Sequence, residues 1–288
     1  MNTIWSALQG VPFRQAYLDV GGVRTRAIEA GNGPPLVLLH GTGGHAEAYA
    51  RNIEAHAEHF HVYAIDMVGH GYSAMPDIDY GPQSYVDFLR DLADAIGEEK
   101  LFVSGESLGA QVAAWFAIQH PERVHKIVMN TGMLLPPDDL GRQDFLEFIE
   151  LTKKATGAPT REAIRERLRW LVHEDHSVTD ELVELRFQIY TQPGRAENIG
   201  KIGKASLATL LDEKVVAQWT HAGMLKQISC PTLVLWTRHN PGQRLPLAEE
   251  GAKLIPNAEL VVFENSAHWP QWEEPEVFNR DHLSFLLK

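Results

Sequence analysis

The chain has 288 residues, 44% hydrophobic and 22% charged, a globular balance suited to one large domain or a core carrying an inserted lid. Its 26 basic and 38 acidic residues leave a formal charge of −12. This argues against nucleic acid or anionic lipid as a partner, because both need a basic face.

The opening "MNTIWSALQGVPFRQ" lacks a basic stretch followed by an apolar run, and no window approaches the roughly 20 apolar residues of a membrane span. A cytoplasmic protein is expected. "AYLDVGGVRTRAIEAG" reads as a hairpin, with Gly21-Gly22 supplying a tight turn. "PPLVLLHG" is short, continuously apolar and closed by glycine, as in a strand buried on both faces. The same look recurs in "HVYAIDMVGHG", "LFVSGES", "HKIVMNTG", "PTLVLWT" and "AELVVFEN". Helical stretches such as Tyr85–Ile96 and Leu108–Gln119 lie between them, closed by Gly97 and by His120-Pro121. This alternation predicts an α/β fold with a mostly parallel sheet flanked by helices. Cys230, the single cysteine, reads as a lone buried thiol and excludes an internal disulfide framework.

The rhythm breaks after Gly132. From Met133 to about Leu211 the sequence is charged and helical in period, as in "REAIRERLRWLVHED", and strand-like runs return near Cys230. Residues 1–132 and 212–288 are therefore expected to form the core, and 133–211 a helical lid. Such lids exclude water and shape a pocket.

The strongest chemical signal is Gly105-Glu106-Ser107-Leu108-Gly109, a G-x-S-x-G between a strand and a helix. There a serine is exposed on a strained turn at a helix N-terminus, where developing negative charge is favoured. The alternative is a plain helix cap. A nucleophilic serine needs a base, and His268 follows the last strand-like run. His56, His59 and His61 read as solvated surface around a helix–strand junction, and His40 as a support of the loop that follows it. An acyl-transfer site also needs oxyanion donors. The candidates are the N–H of Thr42, in "HGTGGHAEAY", and that of Leu108, just after the nucleophile. The loop has neither G-x-G-x-x-G nor a Walker lysine, which argues against phosphate binding.

These pieces, in this order, resemble the α/β-hydrolase superfamily over nearly the whole chain. "HWPQWEEPEVFNRDHLSFL" resembles the C-terminal signature of meta-cleavage-product hydrolases, which cut carbon–carbon bonds in vinylogous 1,5-diketones made by ring-opening of catechols. "VTDELVELRFQIYTQPG" is similar to that family's lid segment. The resemblance implies that Arg186 binds a substrate carboxylate and that Trp269 lines the site. An ion pair along a charged helix and simple packing are the alternative readings of these two residues. The chain departs from the family in its shorter oxyanion loop and in Glu106, where a small polar residue often precedes the nucleophile. A carboxylate there adjoins the substrate-binding region and would alter local proton affinities or repel an anion.

In "TLVLWTRHNPG" the slot where the superfamily commonly carries its acid holds Asn240. Three explanations are open. The amide of Asn240 orients His268; another carboxylate among Asp138, Asp139 and Glu264 reaches it; or the sequence is an inactivated form. The reading is a serine-dependent hydrolase of a meta-cleavage product, with Ser107, His268 and Asn240 as its catalytic set. The resemblance implies neither a metal nor an organic cofactor. The expected partner is a small-molecule substrate, with no nucleic acid and no membrane, and assembly as a homo-oligomer is compatible with it. The rivals are a carboxylesterase or lactonase using the same site, and a non-catalytic ligand-binding protein of the same fold.

Overall fold

A computed structural model describes residues 3–288. Eight strands form one sheet: β1 (Phe13–Val20), β2 (Val23–Ala30), β3 (Pro35–Leu39), β4 (His61–Ile65), β5 (Leu101–Glu106), β6 (Val124–Asn130), β7 (Thr232–Thr237) and β8 (Ala258–Phe263). Their order across the sheet is β1-β2-β4-β3-β5-β6-β7-β8. The β1–β2 hairpin turns at Gly21-Gly22, both with positive φ, and β2 pairs antiparallel with β4. All later pairings are parallel, so the expected mostly parallel sheet is present.

Before the sixth strand the helices are α1 (Ile4–Leu8), α2 (Ile53–Ala57), α3 (Pro82–Ala95) and α4 (Leu108–Gln119). Between β6 and β7 come α5 (Asp139–Gly157), α6 (Arg161–Arg169), α7 (Asp180–Tyr190), α8 (Arg195–Leu211), α9 (Glu213–Trp219) and α10 (Ala222–Leu225). The chain closes with α11 (Leu245–Leu254), α12 (Pro270–Glu273) and α13 (Pro275–Leu286). The helical insertion α5–α9 ends at Trp219, one short helix past Leu211. No helix among the described residues is long and apolar enough to cross a membrane.

Period-two alternation explains the apolar strands. Val37 and Leu39 of β3 join one buried cluster, with Trp115 of α4 and Leu89 of α3. Leu36 and Leu38 join the other, with Ile53 of α2 and Phe278 of α13. Helices cover both faces, so neither set of side chains can be polar. The expectation of a solvated His56 fails. Its ring is fully buried, with Nδ1 2.6 Å from the Asn52 carbonyl and Nε2 2.7 Å from His282 Nδ1. His282 Nε2 in turn lies 2.9 Å from Ser104 Oγ. Burial pushes His56 down to about 4, and the neutral pair ties α2 and α13 to β5. His59 is exposed and His61 half-buried.

The chain leaves β3 towards β4 on one side and then places β5 on the other. Loops diverging at such a switch point open a crevice at the carboxyl ends of the two strands. Leu39 is in register with Gly105, which brings the Gly41 loop beside Glu106 and Ser107.

Candidate active site

Ser107 is the N-cap of α4, with φ 55° and ψ −115°. A non-glycine residue with φ in this range stores strain, and such strain collects at functional turns. The turn holds because the Ser107 N–H donates to the Asn130 carbonyl at 2.9 Å and because Gly105 has no side chain. A Cβ at Gly105 would lie 2.0 Å from the Gly109 carbonyl carbon and oxygen. Those are backbone atoms at the start of α4 and have no rotamer to yield. Gly105→Ala is accordingly expected to lower the unfolding free energy by about 3 kcal/mol, measured by urea denaturation; an unchanged midpoint would show that the turn tolerates the clash.

His268 is almost fully buried and held from four sides. Its backbone N–H donates to the Leu171 carbonyl of the insertion at 2.9 Å, and its carbonyl accepts from Thr131 Oγ1 at 2.9 Å. The Trp170 ring meets the imidazole edge-on at 5.5 Å. Nδ1 lies 2.6 Å from Asn240 Oδ1. The Asn240 amide has one orientation here, because its Nδ2 donates to the Gln243 carbonyl at 2.6 Å. An aspartate would instead set a carboxylate oxygen against that carbonyl, so this loop is built for an amide. Gln243 is fixed by its own side chain, which donates to the carbonyls of Met133 (2.9 Å) and Leu135 (2.6 Å) and accepts from Met133 N–H at 3.0 Å.

The other carboxylates weighed from sequence stand elsewhere. Asp138 caps α5 through the Gly141 N–H, Asp139 is exposed, and Glu264 pairs with Arg238 at the surface. The carboxylate that meets His268 is Glu106, with Oε1 3.2 Å from Nε2. Glu106 is buried, and its Oε2 accepts the Gly41 N–H at 2.7 Å. His40 steadies this loop, its Nδ1 donating to the Gly41 carbonyl at 2.8 Å while Nε2 accepts from Met67 N–H at 3.1 Å. Burial pushes His40 down to about 3. No hydrogen bond joins Ser107 Oγ to His268 among the described residues.

Thr42 and Leu108 both line the small cavity over Ser107. The Thr42 hydroxyl lies 2.9 Å from Ser206 Oγ, and its carbonyl accepts from Arg167 Nη2 at 3.0 Å. Trp269 also lines the cavity, with Phe145, Phe148 and Trp170 of the insertion. Arg186 does not line it. Its guanidinium carbon lies 5.7 Å from the Trp269 ring centre and 5.9 Å from that of Tyr190. It is 1% exposed, and no described residue accepts from its Nε or Nη2. Arg167 is a second buried arginine, hidden in the sequence among the charges of "REAIRERLRW"; its Nη1 has no acceptor. Burial works to raise the Tyr190 phenol, but Arg167 and Arg186 outweigh it and bring the group below its ordinary value. The helical period of α6 marked no single arginine as buried; Arg167 could be found only by packing.

Glu273 links the insertion to the histidine loop, accepting from the N–H groups of Ala267 (2.9 Å), His173 (2.7 Å) and Glu174 (3.3 Å). Burial outweighs these donors and pushes its carboxyl from 4.5 up to about 7. The folded value lies above the unfolded one, so this group favours folding fully below about pH 4.5. That contribution is lost as the pH rises through about 7. Glu273→Gln gives up one acceptor but carries no charge, so its Tm should gain on that of the parent between pH 4.5 and pH 8. A gap of equal size at both pH values would count against ionisation of Glu273.

A serine on a strained strand-to-helix turn, facing a histidine delivered by the loop after the last strand, defines an α/β hydrolase. The chain belongs to this family: the profile of the alpha/beta hydrolase fold matches residues 34–275. Among its relatives is a 2-hydroxy-6-oxononadienedioate/2-hydroxy-6-oxononatrienedioate hydrolase of Burkholderia vietnamiensis, 32% identical over 97% of this chain and 93% of that one. A 2-hydroxy-6-oxo-6-phenylhexa-2,4-dienoate hydrolase of Comamonas testosteroni is 31% identical, covering 90% and 89%. The crystal structure of a meta-cleavage product hydrolase from Pseudomonas fluorescens superposes with a TM-score of 0.79 at 27% identity, over 94% of this chain and 97% of that one. The resemblance to meta-cleavage-product hydrolases thus extends across the whole molecule.

Proposed function

We propose that this protein hydrolyses a carbon–carbon bond next to a ketone in a meta-cleavage product of the 2-hydroxy-6-oxohexa-2,4-dienoate type. The products are a carboxylic acid and a 2-hydroxypentadienoate-type fragment. Ser107 and His268 carry the bond cleavage, and the amide of Asn240 holds the histidine. The N–H groups of Thr42 and Leu108 hold the oxyanion, Arg186 binds the substrate carboxylate, and Trp269 packs against the carbon skeleton.

The observation that carries this reading is Arg186. A buried guanidinium without a carboxylate is costly to keep, and the Nε and Nη2 of Arg186 have no acceptor among the described residues. An anionic substrate offsets that cost, whereas a neutral ester does not. The cavity over Ser107 holds about 40 Å³ of free space, room for a water or two. Phe145, Phe148 and Leu210 of the insertion therefore have to shift to admit a dienoate. Stopped-flow absorbance with a panel of yellow ring-fission dienoates tests the proposal. Loss of colour with release of the acid is expected; hydrolysis of aryl esters with every dienoate left intact would replace it by an esterase.

A further inference from the structure

The loop after β3 is held by its carbonyls. That of Gly41 accepts from His40 Nδ1 at 2.8 Å and from the Gly44 N–H at 2.9 Å. A trans peptide unit sets its N–H opposite its C=O, so the N–H of the same unit, that of Thr42, points the other way. It has no acceptor among the described residues. The remaining contacts come from the insertion. Arg167 of α6 donates through Nη2 to the Thr42 carbonyl at 3.0 Å. Tyr190 of α7 donates to the Gly43 carbonyl at 3.3 Å, and Ser206 Oγ of α8 lies 2.9 Å from the Thr42 hydroxyl. Gly43 makes room for them. Its φ is 71°, and a Cβ there would lie 2.7 Å from Tyr190 Oη and 3.2 Å from Arg167 Nη2.

Of the three, only Arg167 carries a charge, and a charged donor binds a carbonyl roughly twice as strongly as a neutral one. Its direction is fixed from α5. Nε donates to Thr152 Oγ1 at 3.2 Å, and the guanidinium carbon lies 4.6 Å from the Phe148 ring centre. A planar fork serves Thr152 and Thr42 at once, which a single ammonium on a flexible stem does less rigidly. Four residues on, just past α6, the Leu171 carbonyl accepts the His268 N–H at 2.9 Å. One stretch of the insertion thus grips two loops of the site, and Thr42 and His268 both line the cavity over Ser107.

We infer that Arg167 is a positioning residue: by fixing the Thr42 carbonyl it keeps the Thr42 N–H in place for the oxyanion formed over Ser107. The inference rests on the oxyanion role proposed above for Thr42. Arg167 acts through that residue and needs no contact with the substrate. An oxyanion donor works only within about 2.7–3.1 Å of the oxygen, so a loop free to shift by about an ångström loses it.

Arg167→Met keeps most of the side-chain volume and removes its donors. On a ring-fission dienoate kcat should fall about 30-fold, part of the roughly 10²–10³ that a whole oxyanion donor contributes. KM should change by less than about threefold, since the lost effect belongs to the transition state. In stopped-flow the ketonisation phase should keep its rate, because the tetrahedral oxyanion forms only afterwards. A rise in KM alone, or equal slowing of both phases, would reduce Arg167 to packing and overturn the inference. Arg167→Lys should recover part of the loss, and it carries the test if the methionine variant does not fold. Phenylboronic acid judges the role without any dienoate. Ser107 Oγ adds to boron, its proton passes to His268, and a boron-bound oxygen takes the oxyanion position. Its affinity, measured by calorimetry, should weaken about 30-fold in Arg167→Met, in step with kcat. An unchanged affinity, or none for the unaltered protein, would overturn the positioning role. Dienoates left intact by an unaltered enzyme that binds the boronate would sink the proposed reaction alone.

Discussion

Ser107→Ala is expected to lower cleavage of a ring-fission dienoate by roughly 10³-fold or more in kcat, the scale seen when the nucleophile of a coupled catalytic set is removed. The reason is positional. Ser107 sits on the one strained non-glycine turn at the carboxyl end of β5, and no neighbouring hydroxyl shares its place at the α4 N-terminus. Ketonisation of the dienoate, the proton transfer that precedes cleavage in the proposed reaction, should survive the substitution, because it is work for His268 and needs no serine. A rapid colour change without release of the acid is the expected record in single-turnover absorbance paired with product analysis. Retention of cleavage at the parent rate would remove Ser107 from the mechanism and leave attack by water as the sole route.

Arg186→Met is the second large effect, with opposite signs for activity and stability. A charged group binding a substrate carboxylate in a buried setting contributes about 2–5 kcal/mol, so kcat/KM on a dienoate should fall by about 100-fold. The same change removes a guanidinium whose Nε and Nη2 have no acceptor among the described residues. It leaves an apolar chain beside Trp269 and Tyr190. Replacing buried charge by well-packed apolar volume commonly stabilises, here by about 1–4 kcal/mol. Urea denaturation without substrate should therefore show a higher midpoint. The methyl ester of the dienoate separates binding from packing, since its turnover should be much less sensitive to the substitution. Equal losses on acid and ester would mean that Arg186 supports the site only by packing.

Asn240 has to be read with Gln243, whose carbonyl binds its amide. Taken alone, Asn240 is a triad with its acid neutralised, and in the well-studied serine proteases that change costs about 10⁴ in turnover by favouring the wrong tautomer. Here the Gln243 carbonyl selects the amide orientation that keeps the proton on Nδ1, so the tautomer problem does not arise. What the amide cannot supply is a carboxyl group, and the one that stands nearest the imidazole is that of Glu106, with Oε1 3.2 Å from Nε2.

The order of strands and helices was legible in the sequence because it rests on local periodicity. Continuous apolar runs mean strands buried on both faces, and the switch to charged helical period after Gly132 marks the insertion. Ser107 was legible for a similar reason: a strained turn between β5 and α4 demands glycine within two residues on either side, and that demand is written in five consecutive letters. His268 followed from its place after the last strand.

The partnerships of those residues were not local. Which carboxylate meets His268 depends on the register of β3 against β5, which sets Gly41 beside Glu106. It depends also on the Gln243 side chain, bound across the fold to Met133 and Leu135. Nothing in "GES" or "RHN" distinguishes a carboxylate facing the imidazole from one facing solvent. Arg167 and His56 make the same point, for each lies in a polar stretch of sequence and is buried by elements distant along the chain. The sequence by itself determined the hydrolase fold and marked Ser107 and His268 as candidates, because backbone geometry and apolar burial impose short-range patterns. Only the tertiary structure decided which side chains meet around the histidine, because burial and side-chain pairing are settled by what packs against a residue.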